Sequence, residues 1–125
     1  MLAKKLGGDF MMVTATYILI DIIIASVFAI MGILFIKSHG KGSNFLAGYN
    51  MVSTKERKEY DEVKLCIYTG KTLMVWSSFF IIGAVIDLFL AGVGVILAVI
   101  LFLAHLIYYS VYIRLLKFDQ LFKIK

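Results

Sequence analysis

Two aspartates lie deep inside the apolar stretches of this chain, at mirrored distances from the nearest lysine. Asp21 comes sixteen residues before Lys37, and Asp87 comes sixteen residues after Lys71. A carboxylate in hydrocarbon costs about 2.5 to 3.5 kcal/mol even on lenient insertion scales, so such a residue is normally paired, protonated or functional. The equal spacing predicts a polar site inside a membrane.

Three interpretations of Asp21 and Asp87 are open. Each carboxyl group could be protonated or hydrogen-bonded and only help to pack the helices. The two could instead form a shared site for a proton or a cation, because two carboxylates within about 4 to 6 Å of each other cannot both ionise cheaply. They could also meet a basic group on a separate subunit.

Small residues share helix faces with both aspartates. They are Ala25, Ala29 and Gly32 in the first stretch, and Gly83, Ala84 and Ala91 around Asp87. Since small residues mark places where helix backbones approach closely, both carboxyl groups are expected to face a neighbouring helix. Ala98, sixteen residues before Arg114, is expected at the same depth. His105 shares its face, and a hydrogen-bonded structural role is preferred there over a proton relay.

The other reactive side chains form no catalytic or metal-binding pattern. A single cysteine, Cys66, excludes an internal disulfide and has no histidine beside it in the predicted helix. His39 and His105 lack metal-ligand spacing, and the glycines around Lys41 lack the pattern of a phosphate-binding loop. The sequence therefore predicts a protein that is not an enzyme and that uses neither a metal nor a cofactor.

The composition places these residues in a lipid bilayer. Of the 125 residues, 62% are apolar or aromatic and 17% are charged, and the mean hydropathy is +0.94. One apolar run covers residues 10–36, which is too long for the core of a signal peptide. A second, over residues 73–113, is long enough for two spans of about 20 residues each, with a turn at the glycines near residue 92. We predict an all-α integral membrane protein with three transmembrane helices, at about residues 14–36, 72–90 and 95–113.

The distribution of basic residues predicts how the spans are oriented. Two lysines precede the first span, seven Lys or Arg residues lie in the loop 37–71, and four lie in the tail 114–125. The positive-inside rule then places the N-terminus outside and the loop and tail in the cytoplasm. The basic pI of 9.4 is explained by this topology and by anionic lipid, and not by nucleic acid. Four aromatic residues, Trp76, Tyr108, Tyr109 and Tyr112, are expected in an aromatic belt at the cytoplasmic face.

The loop is predicted to hold a cytoplasmic amphipathic helix between spans 1 and 2. Ser53 and Glu56 form a capping box, and three oppositely charged pairs follow at four-residue spacing: Lys55 with Glu59, Arg57 with Asp61, and Lys58 with Glu62. These features predict a helix over about residues 54–68. Before it, residues 38–43 are expected to be mobile and residues 44–50 to lie on the membrane surface.

The same loop resembles a known family over residues 46–70, LAGYNMVSTKERKEYDEVKLCIYTG. The elements AGYN, a serine, YD, LC and a glycine resemble the signature of a family of small bacterial three-span membrane proteins, domain of unknown function 3784. The matching positions include Gly48, Tyr49, Asn50, Ser53, Tyr60, Asp61, Cys66 and Gly70. The resemblance implies a bacterial cytoplasmic membrane and brings no established activity.

The chain also shares a smaller pattern with the immunity family that protects bacteria against a secreted killing factor. Gly48 and Tyr49 fit that pattern, but Asn50 and Met51 replace its Arg-Thr pair, and Tyr60 stands nearest to its missing Trp. This resemblance suggests an immunity role without establishing one.

Two classes of function remain. The preferred one is a non-catalytic interaction protein, an accessory or immunity-type factor that binds another membrane protein or further copies of itself. The alternative is a subunit of an ion- or proton-coupled transporter that uses Asp21 and Asp87. The small size of the chain and the lack of a polar path through its spans favour the first class.

Overall fold

Helices account for nearly all of the described chain. The computed structural model describes residues 2–46, 49 and 53–124, and within these ranges the side chains at 2–7, 54 and 114–116 are not described. The elements are α1 (Leu2–Lys37), a 3-10 helix (Lys41–Phe45), α2 (Thr54–Arg57), α3 (Glu62–Phe89), α4 (Val93–Tyr108), a π-helix (Tyr109–Lys117) and α5 (Phe118–Phe122). Within these ranges the strand-like pairing is an isolated antiparallel bridge between Tyr60 and Lys123. The predicted all-α class is confirmed.

Three helices are long and apolar enough to cross a membrane. The segments are Gly8–Lys37, Glu62–Phe89 and Val93–Ile113. Their outward faces carry large apolar side chains, and Leu34, Phe89 and Ile107 are each more than half exposed. A bilayer solvates such faces, and a helix satisfies its own backbone hydrogen bonds there. The prediction of three transmembrane helices is therefore confirmed.

Helix α3 lies at the centre of the bundle. It packs against α1 and α4, which contact each other over a short stretch. Glycines allow both close approaches, because a Cβ added to Gly70 would lie 2.5 Å from the carbonyl oxygen of Gly32, and one added to Gly83 would lie 2.8 Å from that of Gly94. The backbones therefore touch where the small residues of the sequence occur.

A glycine turn separates α3 from α4. Helix α3 ends at Phe89, and Gly92 adopts a left-handed conformation with φ of 87°. Because glycine has no Cβ, this conformation has little steric cost. We call this end of the bundle, which also holds the start of α1, the turn end.

The loop helix predicted over residues 54–68 is not present as one element. Ser53 does cap a helix, since its Oγ accepts from the Glu56 amide at 3.2 Å, but α2 ends at Arg57. Asp61 then caps α3 through the Lys64 amide at 3.0 Å, and α3 continues without a break to Phe89. The residues between the two helices pair with the tail instead of continuing the helix.

The loop and the tail together form a small folded unit, which we call the loop–tail cap. Its buried core consists of Tyr49, Leu65, Tyr109, Ile113 and Phe122. The tail is fastened by two backbone hydrogen bonds, from the Asp61 amide to the Phe122 carbonyl at 2.7 Å and from the Ile124 amide to the Glu59 carbonyl at 2.6 Å. The end of the bundle next to this unit is the cap end.

Candidate functional site

Asp21 and Asp87 are both completely buried inside the bundle, with 0% of each exposed. Asp21 comes from the middle of α1, and Asp87 lies in the last turn of α3, three residues before the glycine-containing turn. Their carboxyl groups lie within hydrogen-bonding reach of each other. The structure therefore brings the two sequence-predicted residues together at the turn end.

Asp87 also caps the following helix. Its Oδ1 accepts hydrogen bonds from the Gly92 amide at 2.8 Å and from the Gly94 amide at 2.9 Å. The first amides of a helix have no intrahelical partner, and the helix dipole favours a negative charge beside them. Asp87 thus satisfies two backbone donors at the start of α4 that would otherwise be buried without a partner.

The remaining oxygens of the pair lack a donor. Among the described residues, neither oxygen of Asp21 nor Oδ2 of Asp87 has a hydrogen-bond partner. Two carboxylates offer each other only acceptors, but a carboxylic acid can donate to a carboxylate. A single proton between Asp21 and Asp87 therefore converts their contact into a hydrogen bond.

An aromatic layer fills the bundle on the cap side of the carboxyl pair. The ring centroid of Phe28 lies 5.7 Å from Trp76, 5.9 Å from Phe80 and 5.4 Å from Phe102. Within this layer, the Ser77 hydroxyl, which lies between Trp76 and Phe80 on α3, donates to the Ala25 carbonyl at 2.7 Å. Ring packing therefore separates the two carboxyl groups from the cap end.

One detail of the predicted layer is wrong. Ala98 does not lie opposite the carboxyl groups, because it is buried with Ala25 and Phe80, whereas Gly92 and Gly94 contact Asp87. The reason is that α4 begins at Val93, so its first backbone amides lie in the carboxyl layer.

His105 has a structural partner in the aromatic layer. The Trp76 indole Nε1 donates to His105 Nδ1 at 2.8 Å, which assigns the remaining proton of a neutral imidazole to Nε2. Trp76 and Tyr109 are each only 9% exposed, so the aromatic-belt prediction is wrong for both. A buried indole N–H needs a hydrogen-bond acceptor, and His105 provides it for Trp76.

The described residues of the loop signature lie inside or against the loop–tail cap. Tyr49 and Cys66 are buried, at 3% and 1% exposure, and Gly70 contacts Gly32 where α1 crosses α3. Tyr60 donates to Asp119 of the tail at 2.6 Å. Ser53 and Asp61 cap helices, and Gly48 and Asn50 lie outside the described residues.

Arg57 connects the parts of the cap that precede α3. Its guanidinium donates to Glu62 at 3.1 Å, to Ser43 at 3.0 Å and to Asn44 at 2.7 Å, and it lies 5.1 Å from the centre of the Tyr49 ring. These contacts accompany the 3-10 helix at residues 41–45. The predictions that residues 38–43 are mobile and that residues 44–50 lie on the membrane surface stay predictions. The ion pair between Arg57 and Glu62 was not predicted from the sequence, because only pairs four residues apart were considered and these two are five apart.

Two tyrosines of the cap hold their protons more strongly than usual. Hydrogen bonding to the Asp119 carboxylate, with burial second, raises the pKa of Tyr60 to about 12. Burial is the main cause that raises the pKa of Tyr49, and its hydroxyl donates to Glu62 at 3.1 Å. Both hydroxyl groups therefore act as hydrogen-bond donors within the fold.

A cleft of about 550 Å³ opens on the outer side of the cap. It is lined by His39, Arg57, Lys58, Tyr60, Asp61, Glu62, Val63 and Ile124. Arg57 and Glu62 pair with each other there, and Asp61 caps α3. In the described part of the chain, no group of three His, Cys, Asp or Glu side chains is placed to hold a metal ion.

The fold and its apolar surface define a multi-pass, all-α membrane protein. The family model described as "Domain of unknown function (DUF3784)" matches residues 22–117. The chain belongs to this family, as the loop signature predicted. Comparison with curated proteins gave no match, and comparison with solved structures gave none either.

Proposed function

We propose that the protein is a non-catalytic interaction protein that binds a transmembrane helix of another membrane protein or of a second copy. One observation carries the proposal, a groove of about 220 Å³ between α1 and α3. It is lined by Ile22, Ala25, Ser26, Ala29, Ser77 and Ile81. Its position on the apolar segment 8–37 means that lipid or another helix must fill it.

The groove has the chemistry of a helix contact. Ala25, Ser26 and Ala29 are small residues that let another backbone approach closely, and dispersion contacts and hydrogen bonds drive helix association in a membrane. The Ser26 side chain is exposed there. A cavity this small accommodates one large side chain from a neighbouring helix.

The non-catalytic part of the proposal is supported by how the fold uses its reactive side chains. Cys66 is buried, His105 bonds Trp76, and Asp87 caps α4. These groups hold the structure together and are not aimed into an open cavity. The protein class includes accessory and immunity-type factors, and a bacterial plasma-membrane location with the cap in the cytoplasm agrees with the basic residues of the loop and tail.

In-membrane photo-crosslinking tests the groove. A photoreactive residue at Ser26 should give a defined crosslinked species, whereas one at Val27, which is exposed at the same depth outside the groove, should not. The change Ala29→Phe should fill the groove and remove the product, and Val27→Phe should leave it intact. Equal crosslinking from both positions would contradict the proposal, and the captured chain would identify the partner.

A second candidate, a subunit of an ion- or proton-coupled transporter, is favoured by the three carboxyl oxygens without a donor. The aromatic layer at Phe28 and Trp76 closes a path through one copy, so a transported ion would have to leave between subunits. The double change Asp21→Asn and Asp87→Asn should then remove pH-dependent flux in liposomes. Full flux in a correctly inserted double variant would exclude this candidate.

A further inference from the structure

We propose that Asp21 and Asp87 form a binding site for a single proton, which enters from the turn end of the bundle. The site is separate from the helix-binding groove and does not depend on the function proposed for it. The ligand class is a proton taken from water, and the residues that bind it are the two carboxyl groups.

The first evidence for a bound proton is that Asp21 and Asp87 together have more hydrogen-bond acceptors than donors available to them. Two completely buried carboxyl groups lie within hydrogen-bonding reach of each other, and three of their four oxygens lack a donor in the described chain. Ionising both would place two like charges together in a completely buried, low-dielectric region, which is far more costly than ionising one. One bound proton removes a charge and supplies the missing hydrogen bond.

The proton belongs mainly to Asp21. Oδ1 of Asp87 accepts from two backbone amides at the start of α4, and hydrogen bonds of this kind favour the charged form of a carboxyl group. The Asp21 carboxyl has no comparable donor. We therefore assign the O–H to Asp21, which donates it to the Asp87 carboxyl group.

The surrounding helices provide no basic side chain that could replace the proton. Neither residues 10–36 nor residues 73–113 contain Lys or Arg. The titratable neighbours are Tyr17 on α1, one turn before Asp21, and on α4 His105, which lies in the aromatic layer and bonds Trp76. Asp9 is exposed near the start of α1, and α3 contributes Asp87 itself.

The two ends of the bundle differ in access to the pair. On the turn side, the partly exposed Gly92 donates its amide to the Asp87 carboxyl, and the Tyr17 ring lies 3.5 Å from a Cβ added at Gly92. Among the described residues, the Thr14 hydroxyl, one turn further out on α1, is also buried without a partner. On the other side, Phe80 is 2% exposed within the aromatic layer. Protons therefore reach the pair past Tyr17 and Gly92.

Infrared spectroscopy of the purified full-length protein tests where the proton is bound. At pH 7 the wild type should show the carbonyl band of a protonated carboxylic acid, and the band should shift in deuterated water. Asp21→Asn, whose amide can donate to Asp87 in the same way, should fold and lack the band. Asp9→Asn should retain it, because Asp9 is exposed at the start of α1 and lies outside the pair.

Several results would overturn the proposal. They are the absence of the band from the folded wild type, its survival in Asp21→Asn, or its loss when sodium or lithium is added at constant pH, which would indicate a metal-cation site. The wild-type measurement alone decides the point if the variant does not fold.

The direction of entry is tested in oriented proteoliposomes. A pH jump applied only on the side of the N-terminus should change the band at once, and a jump applied only on the cap side should change it only as the internal pH follows. An immediate response to the cap-side jump would contradict entry from the turn end. The infrared measurement tests the proton site, and crosslinking at Ser26 tests the helix-binding groove. A negative result in one experiment therefore does not affect the conclusion from the other.

Discussion

Asp87 illustrates how a single side chain can serve two helices. One of its oxygens accepts from the amides of Gly92 and Gly94, and its carboxyl group is also within hydrogen-bonding reach of Asp21. The sequence predicted that both aspartates face inward, because small residues accompany them at helical spacing. It did not predict the capping role, since that hydrogen bond spans a turn whose geometry depends on Gly92.

The hydrogen bond of Tyr60 makes the cap less stable as the pH rises into the alkaline range. Its pKa is raised to about 12, above the ordinary value of about 10, so its contribution is complete below pH 10 and is lost as the pH rises through about 12. Tyr60→Phe should therefore lower the free energy of unfolding by about 0.5 to 1 kcal/mol at pH 8. The difference from wild type should shrink at pH above 11.

Denaturation in mixed detergent micelles at both pH values measures this difference. Tyr108→Phe is the matched control, because Tyr108 is 51% exposed. A Tyr60→Phe difference that is the same at pH 8 and above pH 11 would show that the Asp119 hydrogen bond does not hold the phenol proton.

At the scale of elements, glycines determine how closely the helices pack. The number of spans followed from the lengths of the apolar runs, and the turn followed from the glycines at 92 and 94. The loop helix was mispredicted because local charge pairs favoured continuation past Arg57, while Asp61 starts a new helix and bonds the tail. Charge pairs and caps within the loop could not show that the tail takes the backbone hydrogen bonds of Glu59 and Asp61.

Gly94 is expected to tolerate no larger side chain. A Cβ added there would overlap the carbonyl oxygen of Gly83 and lie 2.8 Å from Cγ of Asp87. Gly94→Ala should therefore separate α3 from α4 and lower the free energy of unfolding by about 1 to 3 kcal/mol. The measurement is unfolding in detergent micelles.

Gly8→Ala is the control for this substitution. Gly8 has nothing within 4 Å of an added Cβ, so the change should be neutral or stabilise α1 by up to about 1 kcal/mol. Equal stabilities for the two variants would show that α3 and α4 do not approach as closely as the glycine contact requires.

At the scale of the whole molecule, the tail closes the cap over the start of α3. The sequence predicted a charged tail, but the burial of Phe122 depends on contacts with residues more than fifty positions earlier, such as Tyr60 and Leu65. The family signature marked Tyr49 and Tyr60 without a physical role. The structure assigns them to the core and to the fastening of the tail.

Phe122→Ala should open the cap without disrupting the spans. Phe122 is 1% exposed, and removal of a buried phenyl ring costs about 3 kcal/mol or more. The amide protons of Asp61 and Ile124, which bond across the tail, should then exchange about a hundredfold faster. Hydrogen exchange measured by NMR in micelles reports this opening.

Phe45→Ala provides the comparison, because Phe45 is 83% exposed and its removal should leave both exchange rates unchanged. Slow exchange at Asp61 in Phe122→Ala would mean that the cap is held by its polar contacts alone.

The hydrogen bonds of Asp87 also bear on how the chain enters a membrane during synthesis. Until Gly92 and Gly94 have left the ribosome, α3 carries a carboxyl group that has no donor, and insertion of such a helix by itself is unfavourable. The smallest unit in which Asp87 is satisfied is the α3–α4 hairpin. We therefore expect the second and third spans to partition into the bilayer together.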